Sequence, residues 1–273
     1  MNLDQPIGVI DSGVGGLTVA RELMRQLPKE EIIYLGDTIR CPYGPRPESE
    51  IVQFTLEMVD FLIKKQIKLL VIACNTATAF TLDLLKEKLD IPVIGVIQPG
   101  ARAAIKVTKT KRVAVIGTEG TIKSQAYPKA LKQISSKLSV SDLACPAFVS
   151  LVESGNYSEE KIKKVVHESL APLKSQQGLD TLILGCTHYP IIADQIQAEM
   201  GSQVKIISSG TETAREVSTI LSYQQLGYKG DRLPAHRFYT TGAPDLFEQI
   251  ANQWMDDPVD SVKNVVIDQT KNK

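Results

Sequence analysis

The feature that most constrains this chain is a series of short aliphatic runs, each followed by a helix-like segment. The runs are IGVID at 7–11, IIYLG at 32–36, LLVIAC at 69–74, PVIGVI at 92–97, RVAVIG at 112–117, TLILGC at 181–186 and VKIIS at 204–208. Helical patterning falls at 16–27, 48–65, 79–89, 121–137, 158–175 and 191–200. Strands that stay apolar without alternating predict burial on both faces, hence a parallel sheet covered by helices. Strand and helix in alternation is the pattern of an α/β fold.

The series repeats weakly. GVIDSG, LVIACNTAT and PVIGV in the first half are echoed by AVIGTEGT, LILGCTHYP and VKIIS in the second, at nearly equal offsets. The expected fold class is therefore α/β, with two similar parallel-sheet domains arisen by duplication. Each places one cysteine, Cys74 or Cys186, at the carboxyl end of a strand. In open parallel sheets that end is where ligands bind.

Composition narrows the function. Acidic and basic residues balance at 31 each, so nothing points to nucleic acid or to an anionic membrane as partner. No apolar run approaches the roughly 20 residues of a membrane span. The N-terminal MNLDQPIGVIDSG lacks the pattern of a signal peptide, so the expected location is the cytoplasm, with reduced thiols. Four cysteines at 41, 74, 145 and 186 make neither a disulfide framework nor a C-x-x-C metal pair. No metal site is expected. DSGVGGL at 11–17 resembles a dinucleotide fingerprint but has Thr18 where the third glycine belongs. Gly13, Gly15 and Gly16 read instead as a tight turn allowing close approach to a small ligand, and no cofactor is indicated.

At the strand ends stand Asp11 with Ser12, Cys74 with Asn75 and Thr76, Thr118 with Thr121, and Cys186 with Thr187 and His188. Any one of these is explained by helix capping; together they suggest a site. A thiol of ordinary pKa near 8.5 is only about 3 % thiolate at pH 7. Helix starts at both cysteines are expected to lower that value. Asp11 would act in the opposite sense, and accepts a proton or contacts an ammonium group. His188 could assist proton movement at Cys186. Two opposed thiols in matching settings suit removal of a proton from one face of a stereocentre and its return to the other. Other readings of the same residues are a thiol hydrolase using Cys186 and His188, and a non-catalytic amino-acid-binding protein.

DSGVGGL (11–17), GDTIRCPYG (36–44), ACNTAT (73–78), GTEGT (117–121), LVESG (151–155) and GCTHYP (185–190) closely resemble the glutamate racemases of the aspartate/glutamate racemase superfamily, in order and over most of the chain. The resemblance implies cofactor-independent interconversion of L- and D-glutamate, supplying D-glutamate for peptidoglycan, and commonly a homodimer. A relative acting on aspartate or another small amino acid stays open. The resemblance makes Cys74 and Cys186 the acid/bases and Asp11 and His188 their assistants. Ser12, Tyr43, Gly44, Asn75, Thr76, Thr118, Thr121 and Thr187 match substrate contacts, and Glu153 matches a site-proximal acid. It also implies that the chain from about 209 returns to the first domain. The domains are then 1–98 with 209–260, and 99–208, with the site in the cleft between them and 261–273 as a polar tail. His167 and His236 read as structural or solvent-facing, Trp254 as packing, and Cys41 and Cys145 without assigned chemistry.

Overall fold

The structure, a computed structural model, describes residues 2–153 and 158–267. The end of the LVESG motif (154–155) and residues 268–273 of the polar tail lie outside the described residues.

The chain opens with β1 (Ile7–Asp11), α1 (Leu17–Gln26), β2 (Ile32–Gly36), α2 (Glu48–Ile63), β3 (Leu69–Ile72), α3 (Asn75–Lys88), β4 (Val93–Gly95) and α4 (Ile97–Val107). It continues through β5 (Arg112–Gly117), α5 (Glu119–Ser124), α6 (Ala126–Ile134), β6 (Ser139–Ala144), α7 (Ala147–Glu153), α8 (Glu159–Lys174) and β7 (Thr181–Gly185). A 3-10 turn at Tyr189–Ile192 leads into α9 (Ala193–Met200), followed by β8 (Lys205–Ser208). The chain closes with α10 (Ser209–Tyr223), β9 (Arg237–Thr240), α11 (Pro244–Trp254) and β10 (Lys263–Asn264).

Two sheets result. One runs β10-β9-β2-β1-β3-β4 and the other β6-β5-β7-β8, with every pair parallel. The order β2-β1-β3-β4 of the first is repeated as β6-β5-β7-β8 in the second. The expected pair of similar α/β layers is therefore present. Cys74 follows β3 and Cys186 follows β7, equivalent strands in the two sheets. Every residue of β1, β2, β3 and β7 is buried, as continuous aliphatic runs require when helices cover both faces.

Several elements depart from the sequence pattern, for physical reasons. The single helix expected at 121–137 is two, α5 and α6, broken at Gln125 in the left-handed region (φ 57°). Pro128 lacks an N–H and its ring would strike the carbonyl of Ser124, so one helix cannot run through both. Helix α3 starts at Asn75 rather than near 79, because Cys74 caps it by accepting Ala77 N–H on its sulfur. Asn75 and Thr76 are thus inside the helix, not caps. Strand β6 and helices α4 and α7 add to the pattern. β6 is a half-exposed sheet edge, and α4 carries Pro99 in its first turn, where no intrahelical N–H is needed.

At the opposite end of the first sheet from the cysteine, Lys68 and Glu30 form a buried ion pair (2.6 Å; side chains 0 % and 6 % exposed). Lys68 Nζ also donates to Leu3 O, and Glu30 Oε1 accepts from Tyr228 N. The pair thus ties the N-terminus and the segment after α10 to the sheet. Removing one partner of a buried pair strands the other charge, at about 3–5 kcal/mol. Glu30→Gln is expected to lose stability of that order in urea unfolding while leaving the distant cleft's ligand affinity unchanged. A loss below about 1 kcal/mol, typical of an exposed pair, would contradict this.

Candidate active site

The carboxyl ends of the two sheets face each other across a small polar cavity. Cys74, Asn75, Thr76 and Ser12 line it from the first sheet, and Thr118, Cys186, Thr187 and His188 from the second. Tyr43 and Gly44 complete the wall. Asp11, Thr121 and Glu153 stand one layer behind, bonded to residues of the lining. Sequence reasoning missed Pro42, Val149 and Gly185, which also line the cavity. Pro42 and Gly185 adjoin recognised motif residues, whereas Val149 lies on α7, which carried no clear periodic signal.

Each sulfur has a distinct setting. Cys74 Sγ accepts from Ala77 N (3.4 Å) and lies 3.6 Å from Ser12 Oγ. Cys186 Sγ lies 3.7 Å from His188 Nδ1, whose Nε2 is 3.0 Å from Glu153 Oε1. Cys41 Sγ donates to that same carboxylate oxygen at 3.0 Å, linking the loop after β2 to α7. Among the described residues, all four cysteines are free.

The helix start acts on the Cys74 thiol in the expected sense, through Ala77 N–H, but it does not set the net pKa. Burial, then the charge of Asp11, push it up to about 12, outweighing the opposing Ala77 N–H and Ser12. Burial also raises Asp11, although His188, the N–H groups of Gly13 and Gly16, and Thr187 act to lower it. Glu153 is held below the usual carboxylate range: burial works against this, but its bond to His188 and that residue's charge prevail.

Other contacts close the cleft. The hydroxyls of Thr76, Thr118 and Thr121 form a ring at 2.8–3.1 Å. Gly120 N donates to Gly44 O at 2.8 Å, and a Cβ on Gly44 would stand 2.6 Å from Thr118 Cβ. Tyr43 donates its hydroxyl to Asp37 (2.5 Å), so that group is engaged behind the wall. The glycines of DSGVGGL make room for neighbouring side chains: a Cβ on Gly13 would meet Cys41 Sγ at 2.8 Å, and one on Gly16 would meet Tyr34 Oη at 2.7 Å. Elsewhere, His167 pairs with Glu199 at the surface, His236 accepts from Ile32 N, and Trp254 is buried. Among the described residues, no cluster of three His, Cys, Asp or Glu side chains is placed to hold a metal. No helix there is long and apolar enough to cross a membrane.

Fold and cleft together define a two-sheet α/β protein that presents one thiol from each of two equivalent strands to a shared polar cavity. A family model described as Asp/Glu/Hydantoin racemase matches residues 7–217, and the chain belongs to that family of isomerases. It is 63 % identical over 249 residues to a glutamate racemase of Oceanobacillus iheyensis, covering 91 % of each chain. The crystal structure of a glutamate racemase isoform from Bacillus anthracis superposes with a TM-score of 0.93 at 51 % identity, covering 96 % of this chain and 98 % of that one. A glutamate racemase from Francisella tularensis, solved in complex with D-glutamate, gives 0.90 at 34 % identity, covering 97 % and 99 %.

His188 supplies a pH-dependent test. Burial alone would lower its pKa, but the bonds and charges of Cys186 and Glu153 outweigh that and raise it to about 10. An unfolded histidine titrates near 6.5, so the folded state binds this proton more tightly. The resulting stabilisation is full below about pH 6.5 and is lost as pH rises through about 10. In urea unfolding, the stability advantage of the wild type over His188→Gln is expected to shrink across that window. A pH-independent advantage would show that His188 is not held protonated.

Proposed function

We propose that this protein interconverts L- and D-glutamate without a cofactor, by carrying the α-proton between Cys74 and Cys186. The observation that carries the reading is the placement of the two thiols after equivalent strands, on the walls of one cavity. The substrate assignment is supported by glutamate racemases 63 % and 51 % identical to this chain, and by a third, 34 % identical, that was solved with D-glutamate bound.

In the proposed mechanism, one sulfur as thiolate removes the α-proton from one face of the amino acid. The resulting carbanion takes a proton from the opposite thiol on its other face. Protonation states are exchanged between the two sulfurs, and the same machinery runs the reverse direction. In the free protein, Cys74 carries its proton. A protonated His188, 3.7 Å from Cys186 Sγ, can stabilise negative charge on that sulfur. The substrate's ammonium group, on reaching the Asp11 side, offsets the carboxylate that disfavours a Cys74 thiolate. Ser12, Asn75, Thr76, Thr118 and Thr187 supply hydrogen bonds to the substrate, Tyr43 and Gly44 form its wall, and Thr121 and Glu153 hold their neighbours in place.

The cavity measures about 10 Å³, room for roughly one water. Glutamate therefore enters only when the cleft opens. We assign the opening to the loop at 41–44, whose contacts to Glu153 and Gly120 cross the cleft. The family resemblance extends the proposal to a homodimer in the cytoplasm that supplies D-glutamate for peptidoglycan synthesis.

Circular dichroism of L- and of D-glutamate, with purified protein and no added cofactor, tests the reading. Racemisation is expected in both directions. Cys74→Ser and Cys186→Ser should each slow it by at least the 10²–10⁴-fold that a general acid or base typically contributes, roughly. Full activity in either variant would contradict the two-thiol mechanism, and an inactive wild type would contradict the function.

A further inference from the structure

Asn75, next to Cys74, carries a polar group with no partner. The residue is 2 % exposed and lines the cavity. Its Nδ2 finds no acceptor, whereas its Oδ1 accepts from the Tyr127 hydroxyl at 2.7 Å. A buried amide N–H left unpaired is costly, and its presence implies that an acceptor arrives.

The direction of the amide follows from its bond to Tyr127. Tyr127 has one hydroxyl proton. That proton goes to Asn75 Oδ1 at 2.7 Å, an oxygen with no proton of its own to give. Tyr127 does not itself line the cavity, so the carbonyl end of Asn75 is turned away from the cleft and the NH2 end is left for it. Turned over, the amide would present Oδ1, an acceptor, which repels a carboxylate. Little freedom surrounds Tyr127: it is 1 % exposed, and Cβ atoms added at Gly185 and Gly100 would meet its ring or hydroxyl at 3.1 and 3.2 Å.

We propose that Tyr127, donating to Asn75 Oδ1 from the second sheet's helix α6, is a positioning residue for racemisation that presents Asn75 Nδ2 to the cleft as the donor for a substrate carboxylate. This rests on the reading above that the cleft takes an amino acid.

Tyr127→Phe removes the hydroxyl and keeps the ring. It is expected to raise KM for both glutamate enantiomers about tenfold, the size of one lost net hydrogen bond, with kcat little changed. In an Asn75→Ala background the same substitution should add no further loss, because the group it orients is gone. A second readout is independent of turnover. In ¹⁵N-labelled wild type, the Asn75 side-chain NH2 signal, assigned by its absence in Asn75→Ala, should shift as glutamate is titrated, and should shift less in Tyr127→Phe. Unchanged KM in Tyr127→Phe, equal losses in both backgrounds, or an Asn75 signal unmoved by glutamate would each overturn the proposal. A wild type that neither binds nor racemises glutamate would instead overturn the functional reading on which it rests.

Discussion

The cleft depends on how closely the carboxyl ends of the two sheets approach, and Gly15 sets that distance. A Cβ there would lie 2.5 Å from Thr187 Oγ1 and 2.6 Å from His188 Nδ1, closer than non-bonded atoms allow. Its φ is not positive, so glycine is needed here for space and not for backbone freedom. Because the loop after β1 can sit against the residues after β7, Thr18 reaches Thr187 O (3.1 Å) and Thr187 reaches Asp11 Oδ1 (3.3 Å). These bonds hold the two sheets together with both thiols on the wall of one cavity.

Such proximity buries charge, and the site's electrostatics follow from that. Asp11 and His188 are both inaccessible or nearly so, which disfavours each charged form unless partners compensate. His188 is compensated by Cys186 and Glu153 on its two ring nitrogens, and stays protonated well above its ordinary range. The groups acting on Cys74 include an N–H, a hydroxyl and a carboxylate, and burial with that carboxylate favours the thiol. Two sulfurs at equivalent positions are therefore in unlike electrostatic settings.

Much of this was legible in the sequence because buried parallel strands leave a strong trace. The strand-end residues Asp11, Cys74, Thr118 and Cys186 could be found by counting from aliphatic runs, and all but Asp11 reach the cavity wall. What escaped depended on long-range contact. Cys41 meets Glu153 across 112 residues and Tyr127 meets Asn75 across 52, and no local pattern announces either pair. The net pKa at Cys74 is illegible for a related reason: a helix start is visible in sequence, but complete burial beside Asp11 is not. β6 escaped because a half-exposed edge lacks a continuous apolar run.

The central claim is that one sulfur takes the α-proton while the other, on the opposite face, delivers a different one. The position of solvent deuterium at early turnover tests this most directly. With L-glutamate in deuterium oxide, the first D-glutamate formed should carry deuterium at the α-carbon while the remaining L-glutamate stays unlabelled, and the mirror result should hold from D-glutamate. Early product that retains the substrate's own α-hydrogen would mean that a single group carries the proton between faces, and would contradict the paired-thiol account.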